Sequence, residues 1–273
     1  MDARPLIVAT MGWLSPVLPG LSAAWAQRLL ERPRHHPPQA WESVTPTDCE
    51  RVVLEGGLVA RVWAAARPGA PGVLLLHGWS GRHTQFGPLI VALRRAGLRA
   101  IAVDPPAHGD SPGVRSHPIG FADAAFATAE RCGPLLGAIG HSMGAGSLAY
   151  ALSLERFAER LVLIAGPASM SGVLERYATA LALAPAARRR LFERVGRRMG
   201  IAEHDLDAER LRPPADLRIL VVHDRDDREV PVAEAHAIKR AWPAAELCIT
   251  GGLGHRRVLS DPAVIARIIG FLS

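Results

Sequence analysis

Five residues, Gly140-His141-Ser142-Met143-Gly144, constrain this chain more than any other stretch. They follow an apolar run, Leu135-Leu136-Gly137-Ala138-Ile139, and precede a small-residue segment at 145–152. That order reads as strand, sharp turn and helix, with a G-x-S-x-G pattern on the turn. A residue at so tight a corner is forced into an unusual backbone conformation. Glycine on each side leaves space where side chains would strike the adjoining strand and helix. The serine oxygen then projects from the strand end, and the helix N-terminus favours negative charge beside it. A Gly-rich turn with a helix-capping serine has the same local pattern, so the rest of the chain decides between them.

The surrounding sequence alternates strands and helices from about residue 50. Segments 51–54 and 58–63 flank Gly56-Gly57, a hairpin signal. Val73-Leu74-Leu75-Leu76 is continuously apolar, as a strand buried on both faces must be, and runs into His77-Gly78-Trp79-Ser80-Gly81. A helix carrying Phe86, Ile90 and Leu93 stops at Gly97, and a strand at 99–103 ends in the loop from Asp104 to Ser111. A helix at 121–131 leads to the strand before Ser142, and another strand follows at 161–165. The alternation breaks near Gly166. Residues 168–212 read as wholly helical and basic, with Arg188-Arg189-Arg190, Arg194 and Arg197-Arg198. It resumes with a strand at 217–222, a helix at 232–242, a strand at 246–250 and a closing helix at 262–272. This pattern predicts a mostly parallel sheet with helices on both faces, and a helical cap inserted over the strand C-terminal edge, where open α/β sheets bind ligands. The core is expected at 51–167 and 213–273, the cap at 168–212, and a helix with a Pro-rich connector at 1–50.

The first 50 residues are ambiguous. Residues 5–26 carry no charged side chain, and Ala24-Trp25-Ala26 resembles a small-x-small cleavage site. Asp2, Gly12, Pro16, Pro19 and Gly20 argue against a leader, and the interruptions also argue against a spanning helix, which wants about 20 uninterrupted apolar residues. The preferred expectation is an amphipathic helix whose face Leu21, Trp25 and Leu29 packs on the domain or over the mouth of the site. The histidines of Arg34-His35-His36-Pro37-Pro38 read as solvated loop residues, since no further metal ligands accompany them. The formal net charge is +6, and Lys239 is the only lysine. No nucleic-acid motif accompanies that charge, so no nucleic-acid partner is expected; a membrane surface is the lesser expectation. Cys49, Cys132 and Cys248 have neither metal nor disulfide spacing, which suits buried thiols in a reducing, cytoplasmic setting, with export through the apolar segment as the alternative.

A serine hydroxyl needs a base, and the base needs an orienting acid. The strand at 217–222 ends in His223-Asp224-Arg225-Asp226-Asp227, followed by Glu229-Val230-Pro231; the strand at 246–250 ends in Gly251-Gly252-Leu253-Gly254-His255. Ser142, Asp227 and His255 thus follow three different strands, and parallel strands bring all three to one edge. Asp224 and Asp226 read as turn and solvation residues beside Asp227. His223 reads as ending its strand with a satisfied hydrogen bond, and His108 as ordering its loop.

From residue 51 to 273 the chain resembles the α/β-hydrolase superfamily. The matching parts are His77-Gly78-Trp79, the loop from Asp104 to Ser111, residues 140–144, Asp227 in a D-x-x-V-P setting and Gly254-His255, in that order. The resemblance implies Ser142 as nucleophile, His255 as general base, Asp227 as the acid that orients it, and an oxyanion hole from the Met143 and Trp79 amides. It makes His77 and His141 structural supports and puts the Trp79 side chain in the pocket. Two departures stand out: Ala107 occupies a place where glycine is usual, and Arg256-Arg257 follow His255 in place of an aromatic. The implied activity is hydrolysis of a small-molecule ester or thioester through an acyl-enzyme, without metal or organic cofactor. Acyl transfer, carbon–carbon hydrolysis and ligand binding without turnover are the alternatives. The 188–198 arginines read as a solvated helix face or, more sharply, as an anion-recognition surface. Acyl length, leaving group and oligomeric state are left open.

Overall fold

The computed structural model describes residues 4–273. Helices α1 (Arg4–Val17) and α2 (Pro19–Leu30) are followed by a connector with a single 3-10 turn at Ala40–Val44. The hairpin strands β1 (Glu50–Val53) and β2 (Val59–Trp63) come next. Alternating units follow: β3 (Gly72–Leu76), α3 (Gly87–Arg95), β4 (Arg99–Asp104), α4 (Pro118–Cys132), β5 (Leu135–His141), α5 (Met143–Leu154) and β6 (Ala158–Ile164). Helices α6 (Met170–Ala180) and α7 (Pro185–Met199) interrupt them before β7 (Arg218–Asp224), α8 (Ala233–Ala241), β8 (Glu246–Thr250), the short α9 (Gly254–Arg257) and α10 (Pro262–Leu272).

The eight strands form one sheet in the order β1-β2-β4-β3-β5-β6-β7-β8. β2 runs antiparallel to both neighbours, and every pairing from β4 through β8 is parallel. Val73 to Leu76 are fully buried because helices cover both faces of β3. One layer centres on Phe121, Leu148 and Ile238 of α4, α5 and α8; the other on Phe86, Leu93 and Ile268, with α3 and α10. Since β3, β5, β7 and β8 point the same way, their C-terminal ends open on one edge.

Over that edge lies a third cluster, with Met11 of α1, Ala23 and Ala26 of α2, Leu174 of α6 and Leu191 of α7. Here two sequence expectations are corrected. Segment 168–212 is not wholly helical: Gly200, left-handed at φ 78°, ends α7, and only the 3-10 turn Glu203–Leu206 lies between it and β7. The apolar face expected of α2 packs only in part: Trp25 lies against the third cluster and Leu29 borders a cavity at the sheet edge, but Leu21 does not pack. Ser22, Ala23, Ala26 and Gln27 are buried, whereas Leu21 is 63% exposed and Leu29 36%. Small side chains let the α2 and α7 backbones approach closely, and the Gln27 amide ties both ways, donating to Glu31 (2.6 Å) and accepting from Arg194 (2.8 Å). Outward on α1, Leu6, Trp13 and Val17 are also exposed. Among the described residues no helix is long and apolar enough to cross a membrane.

The packing face makes a stability prediction. Ala26→Leu forces a larger side chain into the α2–α7 contact, and overpacking of this kind costs roughly 1–3 kcal/mol. The melting temperature is expected to fall by several degrees, while Leu21→Gln shifts it little. Thermal unfolding of the two variants checks this; equal shifts would mean that Leu21 packs after all.

Candidate active site

Ser142 leaves β5 at φ 53° and ψ −118°, a left-handed corner that a non-glycine residue adopts only when its surroundings impose it. The glycines on each side are sterically required. A Cβ at Gly140 would lie 2.5 Å from Ala145 Cα, and one at Gly144 would lie 2.1 Å from the Leu76 carbonyl oxygen. The Ser142 N–H donates to Ile164 O at 2.9 Å, tying the corner to the next strand.

Asp227 sits in the turn after β7 with its carboxylate buried. Its Oδ1 accepts from the Glu229 and Val230 amides, at 2.8 and 2.9 Å. Its Oδ2 lies 2.7 Å from His255 Nδ1. Burial opposes ionisation, yet the hydrogen bonds from histidine and amide donors outweigh it and hold Asp227 below the usual carboxylate range. An ionised Asp227 can only accept, so Nδ1 carries the proton and His255 Nε2 is left with its lone pair. His223 Nε2 lies 2.9 Å from Val230 O and 3.5 Å from Asp227 Oδ2. The shorter contact takes its proton, which fixes the turn around Asp227.

Two groups position His255. Asp224 accepts from Thr250 Oγ1 (2.7 Å) and from the Leu253 and Gly254 amides (3.1 and 3.0 Å), clamping the loop that carries the histidine. Asp224 is therefore a buried anchor, which corrects its reading as a solvated turn residue; Asp226 accepts from the Gly252 amide at 2.7 Å. His141 donates through Nε2 to the His255 carbonyl at 2.9 Å. Burial pushes the His141 ring down to about 3, so it is neutral at physiological pH, a structural support as expected.

The Trp79 and Met143 amides face the same edge from β3 and from the first position of α5, and among the described residues neither donates to another group. The segment after Trp79 is pinned on two sides. The Ser80 N–H donates to His108 Nε2 at 3.0 Å, and Ser80 Oγ accepts from the Arg34 N–H at 2.8 Å. His108 passes its own proton to Pro106 O at 2.9 Å, and burial holds it at about 3, so it orders the loop in its neutral form. Ala107, beside it, is left-handed at φ 63°, which explains why glycine is the usual residue there.

Trp79, Ser142 and His255 line two adjoining cavities of about 380 and 300 Å³. Among the described residues no hydrogen bond joins the Ser142 hydroxyl to His255, whose Nε2 lies 4.0 Å from Glu229 Oε2. Such contacts commonly close only when substrate is bound. Sequence reasoning missed Glu229, the Asp224 clamp and the connector, whose Arg34, His36 and Glu42 form a wall of the larger cavity. Their local pattern, charge in a loop, is shared by any solvated turn. Among the described residues, the one cluster with metal-ligand chemistry is His83, Asp104 and Asp110. It is internally satisfied, Asp104 by His83 (2.8 Å) and Asp110 by Arg61 (2.6 Å).

A sequence profile of the alpha/beta hydrolase family matches residues 73–268. No curated protein sequence matches the chain. Among solved structures, it is similar in fold to the Pyrococcus furiosus esterase Pf2001, at 20% identity over 89% of this chain and 98% of that one, with a TM-score of 0.63. It is similar to a bromoperoxidase from Bacillus anthracis at 15% identity over 82% and 99%, with a TM-score of 0.61. TT1662 from Thermus thermophilus matches at 20% identity over 82% and 95%, with a TM-score of 0.60. With the profile spanning most of the sheet and every strand of its parallel portion in place, the chain belongs to the alpha/beta hydrolase family.

Proposed function

We propose that this enzyme is a serine hydrolase that cleaves a carboxylic ester or thioester, with Ser142 as nucleophile, His255 as base and Asp227 as the orienting acid. The observation that carries the reading is the 2.7 Å contact between His255 Nδ1 and the buried Asp227, on a histidine that shares both cavity walls with a serine held at φ 53°. The Ser142 oxygen adds to the acyl carbon while its proton passes to His255 Nε2. The Met143 and Trp79 amides receive the oxyanion, a preorganised pair aimed at charge that exists only as the bond forms. Collapse breaks the bond to the leaving oxygen or sulfur, which takes the proton from His255. Water then adds to the acyl-enzyme by the same route, releasing the carboxylic acid and restoring Ser142. The inserted helices α6 and α7, with α2, act as the cap that selects what reaches Ser142.

Fluorophosphonate labelling of the purified protein tests this, beside Ser142→Ala and His255→Ala. Label on the parent and on neither variant is the expected result. A folded parent that takes up no label overturns the assignment of an activated Ser142.

A further inference from the structure

The two cavities that meet at Ser142 differ in chemistry. The smaller is apolar, walled by Leu30, Met143, Met170, Val173, Leu174 and Met199. Its charged lining balances, Glu31 and Glu229 against Arg176 and Arg198. The larger is lined by Arg32, Arg34, Arg82 and Arg256, against only Glu42 and Glu229, an excess of two positive charges. Of the four arginines, Arg82 faces Glu42 (3.8 Å) and Arg256 faces Glu229 (3.3 Å); Arg32 and Arg34 have no ion-pair partner among the described residues.

The helical arginine run is not the source of this charge. Arg188 pairs with Glu175 and Arg194 bonds Gln27, so both serve as struts between helices. The cavity arginines come instead from the connector, from the loop after β3 and from the position after His255, where the family usually has an aromatic. The connector is held over the site by the Arg34–Ser80 bond.

From this contrast we infer that the substrate joins an apolar acyl chain to a leaving alcohol or thiol that bears an anion, a phosphate or a carboxylate. The inference rests on the Ser142 reading and adds to it the substrate class. The orientation follows from the neighbours of each reacting group. Met143, beside the nucleophile, lines only the apolar lobe, so the acyl chain lies there. Arg256, next to His255, lines only the basic lobe, and the leaving group must sit on the His255 side to receive its proton. Guanidinium groups suit either anion because their paired donors match two oxygens at once.

Matched hexanoyl esters of glycerol, glycerate and glycerol phosphate test this. Binding is measured by titration calorimetry on Ser142→Ala protein, which reads affinity without turnover. At least one anionic ester is expected to bind roughly tenfold or more tightly than the neutral one, and which of them does so identifies phosphate or carboxylate. The preference is expected to shrink severalfold in Arg32→Gln and Arg34→Gln, the two arginines without an ion-pair partner among the described residues, each checked for an unchanged melting temperature, and at high salt. Equal affinity for all three, or tighter binding of the neutral ester, overturns the inference. A preference that survives both substitutions also overturns it, because the anion then lies elsewhere. Fluorophosphonate labelling of the parent keeps the outcomes separable: labelling without anion preference removes only the substrate class, whereas preference without labelling removes only the serine chemistry.

Discussion

Replacing Asp227 with asparagine is expected to abolish nearly all turnover of a p-nitrophenyl ester while leaving the fold in place. The geometry dictates how. Oδ1 of Asp227 is held by the amides of Glu229 and Val230. In Asp227→Asn the carbonyl oxygen has to keep those two bonds, which turns the NH2 group toward His255 Nδ1. That nitrogen becomes an acceptor, the ring proton moves to Nε2, and His255 can no longer take the proton of Ser142. A misprotonated base of this kind lowers kcat by about 10⁴-fold, and Ser142→Ala is expected to lower it by on the order of 10⁴- to 10⁶-fold. Steady-state kinetics near pH 8 decides: a loss confined to KM, or one of less than about tenfold, removes Asp227 from the reaction.

The second large effect is on stability in acid. His108 and His141 are buried and held at about 3, against about 6.5 for an unfolded chain. Between those values the unfolded chain binds up to two more protons than the folded one. Stability therefore rises with pH across this window and is lost as pH falls below about 6.5, with a slope of up to about 2.7 kcal/mol per pH unit. His117, also lowered by burial, acts in the same direction. Below about pH 4 two carboxylates add to the loss. In Asp104 and Asp227 burial opposes ionisation, but the His83 bond and the neighbouring His77 ring at Asp104, and the bonds from His255 and the Val230 amide at Asp227, overcome it. Protonating these groups removes that stabilisation. The urea midpoint is expected to fall by a large fraction between pH 7.5 and 5, and the two buried rings should give NMR shifts of neutral imidazole at pH 5. A flat midpoint over that range contradicts the account, and His108→Gln should reduce the proton slope by about one.

The sheet was legible in the sequence because buried parallel strands need continuous apolar runs, and 73–76, 135–139 and 161–165 have them. Ser142, Asp227 and His255 were expected to converge because each follows a strand of the parallel sheet, and they do lie just past the ends of β5, β7 and β8. The face of α2 was legible only in part, through Trp25 and Leu29. Helical periodicity gives weight to Leu21, Trp25 and Leu29, but a close helix crossing selects Ser22, Ala23 and Ala26 for being small, and only the partner helix makes that visible. Asp224, Asp226 and Asp227 look alike in sequence; what separates them is the donors each meets, the Thr250 hydroxyl and the Leu253 and Gly254 amides at Asp224, the Gly252 amide at Asp226, and His255 with the Glu229 and Val230 amides at Asp227. The arginines of the larger cavity were hidden for the same reason. Nothing local brings residues 32–34 back over β3; the bond to Ser80, 46 residues further on, does.

That return of the connector has a consequence for descent. The groups assigned to bond-making all lie between Trp79 and His255, inside the stretch shared with the family. The connector wall of the larger cavity, from Leu29 to Glu42, lies wholly outside it. A lineage could therefore trade its first 49 residues and change its diet without touching its teeth. The same partition puts substitutions at residues 29–42 on one wall of the larger cavity and away from the reacting groups.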